Sequence, residues 1–118
     1  MRNRLESLVP PMELCRAFTR GVFDNSALVW LHIDGEWDVY SRYEAVDGSE
    51  CENIPAPTGD EIMMRLRVCF GHCVKVNYFG RNRLVQVRCG DVVKECETLA
   101  EAALRVYLRQ AEVVGSMK

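Results

Sequence analysis

The chain has 118 residues, of which 48% are apolar and 27% charged, and its formal net charge is −2. This composition is typical of a globular domain, and it excludes a disordered chain and a collagen-like fibre. The longest uninterrupted apolar run spans only residues 27–31, whereas a membrane-spanning helix needs roughly 20 apolar residues. We therefore expect a single domain over residues 1–118 that has no membrane partner.

The first elements along the chain are predicted to be a short helix and a β-hairpin. Pro10 and Pro11 precede residues 12–18, and proline is tolerated in the first turn of a helix. Asp34-Gly35 then joins the β-prone runs 27–33 and 36–43, and Asp-Gly favours a two-residue type I′ turn. With this loop, Trp30 pairs with Val39 across the hairpin. One face of the hairpin then carries the predicted core residues Leu28, Trp30, Trp37 and Val39.

The middle of the chain is predicted to be a loop followed by a second helix. Residues 48–58 contain acidic residues and prolines, a composition typical of loops. Thr58 and Glu61 have the spacing of a capping box, in which each side chain accepts a hydrogen bond from the backbone of the other. We therefore expect a helix that begins here and ends near Leu66.

A second hairpin is predicted over residues 68–78 and 83–89, with its turn around Gly80-Arg81. This turn pairs Val76 with Val85 and His72 with Cys89, and Gly90-Asp91 leads into a short strand over 92–95. The predicted apolar face consists of Val68, Phe70, Val74, Val76, Val85 and Val87. The opposite, polar face consists of Lys75, Asn77, Gln86 and Arg88.

The last predicted element is a helix from the capping box at Thr98 and Glu101 to about residue 113. Leu104 and Leu108 fall outside its main apolar stripe, so the helix is either buried between other elements or offers a partner surface there. The element order is α-β-β-α-β-β-β-α. We therefore predict an α+β fold, with an antiparallel sheet of two β-hairpins plus a short fifth strand and helices packed on one face.

Charge is distributed unevenly along the chain. Residues 34–61 contain nine acidic and one basic residue, whereas residues 62–90 contain six basic residues and no acidic one. The basic hairpin 75–88 has the charge of a phosphate-contacting ribbon, and Tyr78 and Phe79 could stack on bases. Its possible nucleic-acid contacts are Lys75, Arg81, Arg83 and Arg88. Alternatively, the acidic and basic segments neutralise each other, and a variant of the hypothesis treats the acidic segment as a mimic of a phosphate backbone.

The cysteines are interpreted as reduced thiols, because the N-terminal residues lack the apolar segment of a secretory signal. We accordingly expect a cytoplasmic protein. Cys69, His72, Cys73 and Cys89 are candidates for a metal or thiol site. If 69–73 is a strand, however, His72 points away from Cys69 and Cys73. We therefore expect no bound metal and no cofactor, and no catalytic signature such as a phosphate-binding loop is present.

Four segments carry a resemblance: 8–15 (LVPPMELC), 25–30 (NSALVW), 54–62 (IPAPTGDEI) and 102–108 (AALRVYL). Together they resemble a pattern of small uncharacterised proteins encoded in prophages and phages of gut bacteria. In this chain Val-Tyr-Leu at 106–108 replaces the usual Leu-Trp-Leu. The resemblance implies a bacterial or phage accessory protein and supplies no activity and no site residues.

Three hypotheses for the function follow. The first is a non-enzymatic protein that binds a host protein or a second copy of itself, with Leu104 and Leu108 as the partner surface. The second is a nucleic-acid-binding protein that uses the basic hairpin. The third is a metal or thiol protein built on the Cys/His candidates.

Overall fold

The computed structural model describes residues 4–18, 21–33, 35–42, 53–70, 74–81 and 83–116. Two compact units divide between Thr58 and Gly59, and the expectation of one domain stays a prediction. The α+β class is confirmed, and the predicted helices and strands occur in the predicted order, with one additional strand before the second helix. The strands form two three-stranded antiparallel sheets, however, and not one sheet.

The first unit contains a 3-10 helix at Arg4–Leu8, α1 at Met12–Phe18, and strands β1 (Leu28–Ile33), β2 (Glu36–Ser41) and β3 (Asn53–Ala56). The predicted register of the first hairpin is confirmed, since Trp30 pairs with Val39 and Ile33 with Glu36. Gly35 has a φ of +81°, which the type I′ turn requires. Asp34 lies outside the described residues.

Strand β3 was not predicted, because its sequence contains Pro55 and lies in the segment that we interpreted as a loop. It pairs with β1, and the strand order β2-β1-β3 makes it an edge strand. Proline lacks a backbone N–H and is therefore tolerated at the edge of a sheet. This short segment is stabilised as a strand because Ile54 and Ala56 are buried there.

In the first unit, α1 packs against one face of the sheet, and the core lies between them. The predicted core residues Leu28, Trp30 and Val39 belong to this cluster, and Trp37 is partly buried against it. The carbonyl oxygen of Pro10 accepts hydrogen bonds from the indole Nε1 of Trp30 at 3.3 Å and from the thiol of Cys15 at 3.5 Å. These two bonds connect β1 and α1 to the turn that precedes α1.

The second unit begins with α2 (Gly59–Phe70), which is longer than predicted. Val68 and Phe70 therefore lie on a helix and not on the predicted strand. The alternating apolar residues at 68 and 70 suggested a strand, but Ile62 and Leu66 follow helical spacing and are fully buried. Phe70 contacts Tyr107 edge to face, with ring centroids 5.7 Å apart.

The second sheet consists of β4 (Val74–Phe79), β5 (Leu84–Cys89) and β6 (Val92–Cys96). The predicted register of this hairpin is wrong by two residues, since Val76 pairs with Val87 and Tyr78 with Val85. The cause is a four-residue connection, 80–83, in which Arg83 has a positive φ of 52°. Because the shift is an even number of residues, each side chain keeps its predicted face. The third strand, β6, is confirmed.

The last helix, α3 (Leu99–Ser116), covers one face of this sheet. The backbone N–H of Glu101 donates to the hydroxyl of Thr98 at 3.2 Å, which confirms this hydrogen bond of the predicted capping box. The side chain of Gln110 donates to the carbonyl of Cys89 and joins α3 to β5. Under the helix, the sheet face presents the buried side chains of Val85, Val87 and Cys89.

Candidate nucleic-acid interface

The predicted nucleic-acid contacts lie on the opposite face of the second sheet and in the connection at the end of its first hairpin. We define the basic face as Lys75 on β4, Arg88 on β5, and Arg81 and Arg83 in the connection between the strands. All four side chains are exposed. The sheet brings Lys75 and Arg88 together on its outer face, because pleating alternates side chains and α3 covers the other face. The two arginines of the connection lie at one end of the same hairpin.

Lys75 and Arg88 are direct cross-strand partners. Side chains in such a position have Cβ atoms about 5 Å apart, and like charges there are destabilising. Within the part of the chain that the structure describes, the ion pairs lie on α3 (Arg105 with Glu101 at 3.9 Å and Arg109 with Glu112 at 3.1 Å), and none involves the basic face. The two charges are therefore held together without an acidic partner among these residues.

A row of polar side chains lies beside this pair on the same face. The Asn77 amide donates to Gln86 Oε1 at 3.0 Å, and the Gln86 amide donates to Glu95 Oε1 at 2.9 Å. The row crosses all three strands and fixes the orientation of both amides. Glu95 adds one negative charge beside the two positive charges of Lys75 and Arg88 on this face of the sheet.

The structure separates the two aromatic candidates for base stacking. Phe79 pairs with Leu84 and therefore lies on the same face as Lys75, with 41% of its surface exposed. Tyr78 is 69% exposed but lies on the opposite face, where it pairs with the buried Val85. Only Phe79 of this pair shares a face with the cations.

Neutralisation of the basic face by the acidic segment stays a prediction. The residues that would test it are Asp47, Glu50 and Glu52, and all three lie outside the described residues. The same holds for the idea that the acidic segment mimics a phosphate backbone.

The candidate metal or thiol site is only partly described. Cys69 is exposed in the last turn of α2, so its predicted position on a strand is wrong. Cys89 is buried beneath α3, and burial raises the pKa of its thiol. His72 and Cys73 lie outside the described residues. Among the residues that the structure describes, no group of three His, Cys, Asp or Glu side chains could hold a metal ion.

The predicted partner surface on the last helix is corrected by the burial of Leu104. Its side chain is completely buried inside the chain and cannot contact a partner, whereas Leu108 is half-buried. Two exposed apolar side chains on α2 were not predicted as a surface, Met64 at 66% and Val68 at 75% exposure. Their i, i+4 spacing places them on one side of the helix. A predicted helix that continued beyond Leu66 would have included both residues on this side.

Comparisons with known proteins give no relative for this chain. No family model, no curated protein and no solved structure matches it. The resemblance to phage and prophage proteins therefore stays a prediction. Within the described residues, no helix combines the length and the apolar character needed to cross a membrane.

Proposed function

We propose that the chain binds nucleic acid through the basic face. The observation that carries the proposal is the direct cross-strand pairing of two exposed cations, Lys75 and Arg88. Arg81 and Arg83 extend the positive charge to the end of the same hairpin. Phosphate groups are the ligands that such a cluster of lysine and arginine side chains favours.

A bound phosphate backbone removes an unfavourable interaction that is present in the free protein. Two like charges on neighbouring strands repel each other, and the repulsion is relieved when an anion lies between or above them. Binding also releases the counterions condensed on the nucleic acid, which adds a favourable term that weakens with salt. The net charge of −2 for the whole chain opposes nonspecific binding, so the local arrangement of charge has to carry the affinity.

A titration of fluorescently labelled oligonucleotides tests this proposal, with anisotropy as the readout. Arg88→Gln removes one charge from the basic face, and Lys94→Gln is the matched control. Lys94 is exposed on β6 but lies on the other face of the sheet, because it pairs with Val87. We expect Arg88→Gln to weaken binding severalfold and Lys94→Gln to leave it nearly unchanged. Equal effects of the two variants, or no binding by the unmodified chain, would contradict the proposal.

Protein binding is a second candidate, and the exposed apolar pair Met64 and Val68 favours it. An apolar centre is the usual core of a protein interface. As the partner we propose a second copy of the chain, in an accessory protein of phage or prophage origin. Light scattering at increasing concentration tests this candidate. A mass that rises with concentration and returns to that of the monomer in Val68→Gln supports it, and a constant monomer mass removes it.

A further inference from the structure

We propose that the basic face binds a single-stranded nucleic acid, with one base stacked on the ring of Phe79. This inference rests on the proposed function and specifies its ligand. The relevant juxtaposition is an exposed aromatic ring on the same sheet face as the paired cations Lys75 and Arg88, next to a connection that carries Arg81 and Arg83.

The position of Phe79 allows positive charge on both sides of a stacked base. Lys75 lies four residues earlier on β4, which is about 13 Å along an extended strand. Arg81 follows Phe79 by two residues in the connection. A nucleic-acid strand that runs along β4 therefore meets a cation before and after the base that contacts the ring.

The chemistry of the ring favours a single strand over a duplex. A phenylalanine side chain recognises a base by stacking on its flat surface, and the bases of a duplex cover each other's surfaces. Phosphate contacts alone do not distinguish between the two forms. The exposure of Phe79, 41% at the end of the strand, is therefore the feature that predicts a preference for unpaired bases.

Asn77 lies between the cation pair and the ring on the same face. Its amide donates one N–H to Gln86, and the amide retains a carbonyl oxygen and a second N–H for other partners. These groups match the donors and acceptors that unpaired bases expose on their edges. The face thus presents phosphate-binding, base-edge and stacking groups in order along one strand.

The test compares Phe79→Leu with Tyr78→Leu. Both substitutions replace an exposed aromatic ring on β4 by leucine, but Tyr78 lies on the other face of the sheet. The probes are labelled 15-nucleotide single strands of DNA and of RNA without self-complementarity, and the corresponding 15-base-pair DNA duplex, at one fixed salt concentration. Circular dichroism and the urea midpoint establish that each variant is folded.

We expect the unmodified chain to bind at least one single strand more tightly than the duplex. Phe79→Leu should weaken that binding by roughly fivefold to a hundredfold, the effect of losing one stacked base. Tyr78→Leu should leave it within about twofold, and Phe79→Trp should retain it because tryptophan also stacks. Comparing the DNA and RNA strands shows which sugar the face accepts.

Two results would overturn the inference in distinguishable ways. If Arg88→Gln weakens binding but Phe79→Leu does not, or if the duplex binds as tightly as both single strands, base stacking is refuted and the proposed function stands. If no oligonucleotide binds, the inference and the proposed function fail together.

Discussion

Lys75 and Arg88 lie directly opposite each other on β4 and β5, and both side chains are exposed. A sheet that served only to support the fold would gain stability from an opposite-charge pair at this position. The like-charge pair instead reduces stability, and under the proposed function it binds an anion. Stability and binding are therefore expected to respond in opposite directions when one of these charges is changed.

Lys75→Glu should make the protein more stable and abolish its binding to nucleic acid. The new carboxylate faces Arg88 and replaces repulsion with attraction, so the free energy of unfolding should rise by about 0.5–1 kcal/mol. Urea denaturation at low salt measures this change, which should shrink at high salt because ions screen exposed charges. Lys94→Glu is the control on the other face of the sheet. An unchanged or lower stability of Lys75→Glu would show that the two charges do not interact.

Gly59→Ala should destabilise the protein although alanine is the better helix former. A Cβ atom at this position would lie 2.8 Å from Cγ of Leu99 and 3.3 Å from the backbone nitrogen of Ala100. Relief of this contact requires a shift at the start of α3, which we expect to cost about 1–2 kcal/mol in the free energy of unfolding. Gly80→Ala is the matched control because nothing lies within 4 Å of its added Cβ. Equal urea midpoints for the two variants would contradict close packing at Gly59.

Trp30→Phe should weaken the first unit by about 1–3 kcal/mol. The substitution removes the indole N–H that donates to the carbonyl of Pro10 and leaves a smaller ring in a buried site. Trp37→Phe provides the comparison, since Trp37 is only half-buried and stacks on His32 with ring centroids 4.9 Å apart. Urea denaturation of both variants should show the larger loss for Trp30→Phe. The reverse order would contradict the role assigned to the Pro10 hydrogen bond.

Stability should fall as the pH rises above about 9, and Cys15 should account for part of the decrease. Burial raises the pKa of its thiol to about 12 from an ordinary value of 9.0, although the hydrogen bond with Trp30 opposes this effect. Between these two values the unfolded chain loses the proton while the folded chain keeps it, so increasing pH favours unfolding. Burial likewise raises the pKa of Cys96, to about 11.

The measurement for Cys15 is the free energy of unfolding at several pH values between 8 and 11, for the unmodified chain and for Cys15→Ala. We expect the decrease with pH to be smaller in the variant, because one titrating thiol is absent. Other groups titrate in this range in both proteins, so the difference between the two curves isolates Cys15. Parallel curves would show that ionisation of Cys15 is not linked to folding.

The two hairpins show how far the sequence can predict register. In the first, Asp34-Gly35 is a specific turn signal, and the predicted pairing of Trp30 with Val39 is confirmed. In the second, the connection ends at Arg83, whose left-handed backbone is uncommon for a residue other than glycine. Arginine is not a residue type that predicts a left-handed backbone. A two-residue turn was therefore predicted in place of the four-residue connection, and the predicted register was wrong by two residues.

The candidate site was predicted better than the register that forms it. Lys75 and Arg88 were assigned to one polar face by alternation alone, and an even shift preserves that assignment. Only the structure shows that Lys75 pairs directly with Arg88. It also places Phe79 on the face of these two cations and Tyr78 on the opposite face. The helical wheel predicts on which side of α3 Leu104 lies, but it does not predict which elements pack against that side. The burial of Leu104 could therefore not be predicted from the sequence.

The most direct test of nucleic-acid binding by the basic face is the dependence of affinity on salt. The affinity for a labelled single strand is measured between 50 and 300 mM salt for the unmodified chain and for a variant with Lys75→Gln, Arg81→Gln, Arg83→Asn and Arg88→Gln. Asparagine is chosen at Arg83 because it tolerates the positive φ found there. Four phosphate contacts predict a slope of about −2 to −3 in log affinity against log salt, and the variant should approach zero. Absence of binding, or an equal slope for both proteins, would contradict the account.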